Sequence, residues 1–347
     1  MKGEGSVQVE RMAAGKYVDG VRWLPSVAAM ERNVVVAGSS SGDCFSSCCI
    51  ELHSLSPTAP SLNLVASCAV PVRISTLKVA PSIIAASSSS GHLLFLTPNP
   101  LLTVSSSHLG GGISAMDLEA STPTFQCVAV GEDGRVNVVS LVEGQAEAHC
   151  RQIFDNRGLM SYTAACWASP TEFVTAGLGL GLPLHWWDLR TPSATAPAVS
   201  LNWAGNKTAR VIHSIDVHPS RKHLCVVGGS SGLVFAWDLR WQQEPIPLVD
   251  TGSSSRKISE LLSESEVWEV KFDHYTQSTS FGAASSKIPP VMMCSEDGIL
   301  AVFESGEAPL EVLAEPCAIN TFDIDPENSS DVICGLEWET ILFLRRS

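Results

Sequence analysis

The sequence carries little charge. Asp, Glu, Lys and Arg make up 17 % of its 347 residues, which leaves a large share of side chains to face inward. Positive charge is scarcest: 22 basic residues stand against 36 acidic ones, a formal net charge of −14. Basic residues come at most in isolated pairs, Arg221-Lys222, Arg256-Lys257 and Arg345-Arg346. Without a basic cluster there is no footprint for a nucleic-acid phosphate backbone. No apolar run approaches the ~18 residues of a membrane-spanning helix. The opening MKGEGSVQVERMAAGK has no apolar signal-peptide core. These absences predict a chain kept in the cytosol or nucleus, with no membrane insertion and no direct nucleic-acid partner.

Paired cysteine motifs are missing too. The eleven cysteines are an odd number, none forms a CxxC pair, and most sit inside apolar runs such as Phe125-Gln-Cys-Val-Ala-Val130. Reduced thiols packed as small hydrophobes are predicted, not a disulfide framework. Nor is there a Gly-x-Ser-x-Gly elbow. Histidines His213, His218 and His223 recur every five residues on and around one strand, a spacing that does not converge three nitrogens on a metal. The glycine-rich Gly177-Leu-Gly-Leu-Gly181 is followed by Pro183 and an apolar run. It lacks the helix that a phosphate loop opens, so it reads as a hairpin turn. No catalytic residue, cofactor or metal is predicted.

What is abundant is short apolar runs, four to eight residues long and bounded by Ser, Gly and Pro, which is strand punctuation. In Ile212–Val249 they spell a four-stranded meander: Ile212–Pro219, Leu224–Gly228, Leu233–Asp238 and Ile246–Val249. The same grammar recurs across the chain, as an internal repeat should. The repeats are 17–70, 74–107, 113–154, 162–203, 212–249, 267–315 and 319–346. The turn glycines Gly42, Gly91, Gly134, Gly181, Gly232 and Gly298 step by 49, 43, 47, 51 and 66 residues. Most steps lie near the ~40–45 residues of a WD40 blade. The prediction is an all-β, single-domain, seven-bladed WD40-type β-propeller. Its third strands are apolar on both parities: Leu233, Phe235 and Trp237 face one neighbouring blade, Val234 and Ala236 the other. The seventh repeat lacks a fourth strand. Alternating residues 6–11 are predicted to supply it and close the ring, which removes exposed edges. The stretches 250–266 and 274–290 overrun the repeat and read as mobile surface loops.

Two repeats end alike, in Trp187-Asp188-Leu-Arg190 and Trp237-Asp238-Leu-Arg240. The tryptophans are expected to pack between blades and the aspartates to cap the third strands. Asp133-Gly134 and Asp297-Gly298 are type I′ turn signals, whose aspartates could accept hydrogen bonds from a neighbouring first strand. Arg190 and Arg240 would sit on one rim of the disc, the only candidate partner-binding residues.

Four stretches carry a resemblance: Ile212–His223, Gly228–Gln243, Ser265–Val270 with Cys294–Gly298, and Cys317–Ile324. They resemble the WD-repeat nucleoporins of about forty-three kilodaltons, subunits of the Y-shaped outer-ring complex of the nuclear pore. The resemblance is densest from about residue 205 onward. It implies a non-enzymatic scaffold at the nuclear envelope, bound to an α-helical solenoid nucleoporin of the short arm and serving transport of RNA and protein. No FG repeats occur, in keeping with a structural role. Two alternatives stay open. One is a substrate receptor of a cullin-type ligase, docking its adaptor through the Trp-Asp-Leu-Arg endings. The other, disfavoured, is a propeller enzyme with a channel site.

Overall fold

A computed structural model describes residues 7–26, 32–41, 46–56, 61–120, 123–155, 160–180, 183–191, 196–202, 209–241, 244–248, 265–279, 288–304 and 307–347. They form seven antiparallel sheets arranged as a β-propeller of WD40 type. The first strands of the sheets contact one another in an unbroken circle, blade 1 against blade 2 and so on round to blade 7 against blade 1. These first strands are Tyr17–Leu24, Thr76–Ala80, Ala115–Glu119, Ser161–Ser169, Ile212–Val217, Val267–Phe272 and Ile319–Ile324.

The core follows from that arrangement. It comprises seven apolar clusters, one at each seam between adjacent blades. Strand parity decides which seam a side chain enters, because successive residues point to opposite faces. In Leu233–Asp238, Leu233, Phe235 and Trp237 enter the seam with blade 4, while Val234 and Ala236 enter the seam with blade 6. A strand covered on both faces has no polar side, so strict alternation is lost. Alternation returns where one face meets water, as over Val7–Glu10.

Val7–Ala13 is the ring closure. It pairs antiparallel with Thr340–Arg346, from Val7 opposite Arg346 to Ala13 opposite Thr340. Val7 and Val9 pack into the seam between blades 6 and 7. The last blade is thereby built from both ends of the chain.

Several local expectations are corrected. Gly177–Leu180 is still strand, not turn, and Gly177 lies so close to Ser161 that a Cβ would fall 1.8 Å from its carbonyl oxygen. Asp133 and Asp297 keep negative φ, and only Gly134 (+83°) and Gly298 (+82°) are left-handed. Their turns are therefore type I with a following αL glycine rather than type I′. The segment 274–290 opens with a short helix, His274–Thr279, and ends with buried Ile288. Residues 250–264 and 280–287 lie outside the described residues. So do Gly42 and Gly181 of the glycine ruler; Gly91 and Gly232 are left-handed like Gly134 and Gly298. Among the described residues no helix is long and apolar enough to cross a membrane.

Candidate functional site

The meander gives the disc two faces. Turns between second and third strands, and links from one blade to the next, lie on what is here the upper face. Turns between first and second strands lie on the lower face, with the segments that follow the third strands.

Arg190 and Arg240 are on the lower face. Each guanidinium folds back onto the aspartate two residues earlier. Arg190 Nη2 lies 2.8 Å from Asp188 Oδ2, and Arg240 Nη2 lies 2.7 Å from Asp238 Oδ2. The aspartates also accept the arginine backbone N–H, at 2.9 Å in both cases. These contacts hold both carboxyls below the usual carboxylate range, the arginine hydrogen bonds being the main cause. Arg190 also pairs with Glu172. Trp187 is buried in the seam of blades 3 and 4, its indole N–H donating to Thr175 Oγ1 at 2.9 Å. Trp237 is buried in the seam of blades 4 and 5, and among the described residues its indole nitrogen has no partner. The two endings are alike in sequence, yet among the described residues one tryptophan is hydrogen-bonded and the other is not.

Among the described residues Asp133 and Asp297 accept no hydrogen bond from a neighbouring first strand. Asp133 Oδ1 accepts the Arg135 N–H at 3.2 Å, and Asp297 accepts the Ser295 hydroxyl. That job belongs to residues the sequence reading passed over. Asp117 accepts the Trp167 N–H at 2.7 Å, Asp216 accepts that of Phe272 at 2.8 Å, and Asp323 accepts that of Trp23 at 2.8 Å. Each joins blade n to blade n+1. All three occupy one position of the first strand, which in the other blades holds Arg22, Lys78, Cys166 and Lys271. Seven side chains thus share one level of the first strands around the ring, and of these Arg22 and Lys78 line the channel cavity while Cys166 packs in the seam of blades 4 and 5.

The ring is stitched by charge. Lys78 Nζ lies 2.9 Å from Asp117, and Lys271 Nζ 2.5 Å from Asp323. Arg22 reaches over blade 7 to pair with Glu269 of blade 6. Its guanidinium also donates to Thr321 Oγ1 at 2.6 Å, the Phe322 carbonyl at 3.2 Å and the Leu77 carbonyl at 3.2 Å. One side chain so ties blades 1, 2, 6 and 7. Burial opposes both charges of the pair. Even so, Glu269 and Asp323 push Arg22 above its ordinary value, and Arg22 and Lys271 hold Glu269 below its own. Asp216 has no such cation in contact among the described residues, and burial raises its carboxyl. Burial pushes the neighbouring Cys166 thiol well up. The signal was legible in principle: align the first strands and a charged residue flanked by apolar ones recurs in six of seven.

Above this level a second ring lines the upper mouth: Asp19, Ser75, Ser114, Thr163, His213, Trp268 and Asn320. In five blades the residue here is the extra one of a β-bulge. Pairing jumps from Val18 to Gly20, Tyr162 to Ala164, Ile212 to Ser214, Val267 to Glu269 and Ile319 to Thr321. A bulge turns its unpaired residue out of the ladder and re-aims the side chain. The cavity they enclose is about 420 Å³. Two of the three histidines at 213, 218 and 223 make separate side-chain contacts. His213 Nε2 lies 2.6 Å from Glu266, and buried His218 accepts backbone N–H groups of Ser220 and Arg221 on Nδ1. Burial, with His274, Arg221 and His223 nearby, depresses His218 to about 4. Of the ten described cysteines, all are free; Cys127, Cys166, Cys225, Cys294, Cys317 and Cys334 are buried.

No protein-family model matches the chain. Among curated proteins, it is 47 % identical over 99 % of both chains to a nuclear pore complex protein, NUP43, of Arabidopsis thaliana. It is 28 % identical to the mouse nucleoporin Nup43, over 50 % of this chain and 38 % of the mouse protein. It is 26 % identical to human Nup43, over 59 % of this chain and 47 % of the human one. An end-to-end match of that strength, on a closed seven-bladed ring, places this chain in the Nup43 family of nuclear pore proteins.

Proposed function

We propose that this protein is a non-enzymatic scaffold subunit of the outer-ring Y complex of the nuclear pore, residing at the nuclear envelope and supporting transport of RNA and protein. The observation that carries this reading is the 47 % identity to a nuclear pore protein over 99 % of both chains. The geometry agrees with it. Channel charges that could have been catalytic are tied into inter-blade pairs, Lys78 with Asp117, Lys271 with Asp323 and Arg22 with Glu269. Groups engaged in this way stiffen a ring and are not poised for proton transfer. The partner in this reading is an α-helical solenoid nucleoporin of the short arm.

Arg190 and Arg240 act in this reading as strand-end clamps, since each is held by its own aspartate. Nothing in their geometry favours the ligase-receptor alternative. The test is a tagged chain expressed in cells of its own kind. It is expected at the nuclear rim and to co-purify solenoid nucleoporins. Diffuse distribution, with recovery of a ligase adaptor that Arg190→Ala plus Arg240→Ala abolishes, would overturn the scaffold reading.

A further inference from the structure

The upper mouth is not chemically uniform. On blades 2, 3 and 4 its hydroxyls are engaged between blades. Ser75 donates to the Ile113 carbonyl at 3.5 Å, Ser114 to the Tyr162 carbonyl, and Thr163 to the Ile212 carbonyl at 2.5 Å. The other four mouth residues lie on consecutive blades 5, 6, 7 and 1: His213, Trp268, Asn320 and Asp19. Every one of them is a bulge residue.

This arc has the makings of a receptor for a cation. Asp19 is 4 % exposed at its side chain, and Arg73 engages only Oδ1, at 2.7 Å. Among the described residues Oδ2 is buried without a hydrogen-bond partner, with Ser39 the nearest hydroxyl to act on this carboxyl. Burial accordingly raises this carboxyl, against the pull of Arg73. A buried, half-satisfied carboxylate is costly unless something fills the gap. Next to it, Asn320 lines all three cavities that meet at the mouth, of about 420, 320 and 440 Å³. Trp268 is half-exposed there, its indole fixed by a 2.6 Å bond to Glu296 and its ring 4.9 Å from His213. Glu132, Glu296 and Glu337 line the same openings, and Tyr17 and Trp338 are exposed beside them at 45 % and 62 %. The cations lower in the channel, Arg22 and Lys78, are matched by Glu269 and Asp117.

We propose that the upper channel mouth, on the arc of Asp19, Trp268 and Asn320, binds an arginine side chain presented by a protein partner. A guanidinium offers five in-plane donors for Asp19 Oδ2 and the Asn320 amide oxygen, and a flat face to stack on the Trp268 indole. Such stacking is favourable where water is partly excluded. The acidic surroundings, within a chain of net charge −14, favour approach of a cation over an anion. The site is on the face opposite Arg190 and Arg240. It stands independently of which assembly the protein joins.

The test uses the full chain labelled with 5-fluorotryptophan. Fluorine NMR resonances of Trp268, Trp338 and Trp241 are assigned by single Trp→Phe variants. The probes are acetyl-Gly-Arg-Gly-amide and acetyl-Gly-Glu-Gly-amide. The arginine tripeptide is expected to shift the Trp268 resonance saturably, half-saturating on the order of 1 mM, the strength of one small polar contact set. Trp241, on the lower face, should not move. Asp19→Asn combined with Asn320→Ala should weaken binding at least about tenfold, the loss of roughly one charged hydrogen bond. Asn320→Asp should tighten it, which guards against a variant that merely fails to fold. No saturable shift at Trp268 in the native chain, an equal response to the glutamate tripeptide, or a response centred on Trp241 overturns the proposal.

Discussion

Removing Arg22 should loosen the whole ring, because its guanidinium contacts four blades. In Arg22→Met the carboxylate of Glu269 stays in the channel wall. It retains the Phe322 N–H at 2.7 Å and the Thr321 hydroxyl at 3.1 Å but loses its bidentate cation. Breaking a buried pair from one side typically costs about 3–5 kcal/mol. Lys271 still contributes favourable charge to Glu269, so the lower end, about 3 kcal/mol, applies. Unfolding entropy near about 2.1 cal/mol/K per residue converts this to a Tm decrease of roughly 4 °C for a chain of this length. Glu269→Gln alone strands the arginine and should cost about 2 kcal/mol or more. Arg22→Met combined with Glu269→Gln strands neither charge and should cost less than the sum of the singles by about 2 kcal/mol. Calorimetry and urea unfolding of the four proteins complete the cycle. Singles that add within about 0.5 kcal/mol would refute the idea that this pair holds the ring.

Other expectations follow from the same geometry. Deleting residues 1–13 removes the fourth strand of the last blade and uncovers the seam that Val7 and Val9 cover. It should lower Tm by more than the Arg22 variant, and an unchanged melting curve would contradict closure by this strand. Trp187→Phe should cost about 1 kcal/mol more than Trp237→Phe, because only Trp187 gives up an indole hydrogen bond and leaves Thr175 buried without it; equal losses in urea midpoints would count against the difference. Asp216→Asn should stabilise the protein at neutral pH. Burial raises the folded-state pKa of Asp216 above its ordinary 3.8, so its ionised form costs stability above that value. The amide keeps an oxygen for the Phe272 N–H. The gain should fade as pH falls below about 4, where the carboxyl is protonated in both states. A gain independent of pH would point to packing instead.

Much of the architecture was open to reading from the chain alone. Period-two patterns, turn glycines and a missing fourth strand are local features, and each constrains its own hairpin. Seven repeats of an element that cannot bury both its faces then leave a closed ring as the way to cover them. The parity of Leu233–Trp237 was readable for the same reason, since pleat direction follows from residue order. Where local rules misled, tertiary contact had intervened. Gly177 serves a close approach to Ser161 rather than a turn, and Tyr275 in the stretch read as a loop stacks under Arg346 at 4.5 Å.

The functional surface is a different matter. Sequence determined the blades, their order and the strand that locks them, because backbone pairing and side-chain alternation are set within a few residues. Only the tertiary structure decided what the blades build together. Arg22 and Glu269 are 247 positions apart, and nothing near either residue announces the other. A β-bulge has no dependable composition, so the turning of Asp19, His213, Trp268 and Asn320 into one arc appears only when seven first strands are brought round a common axis.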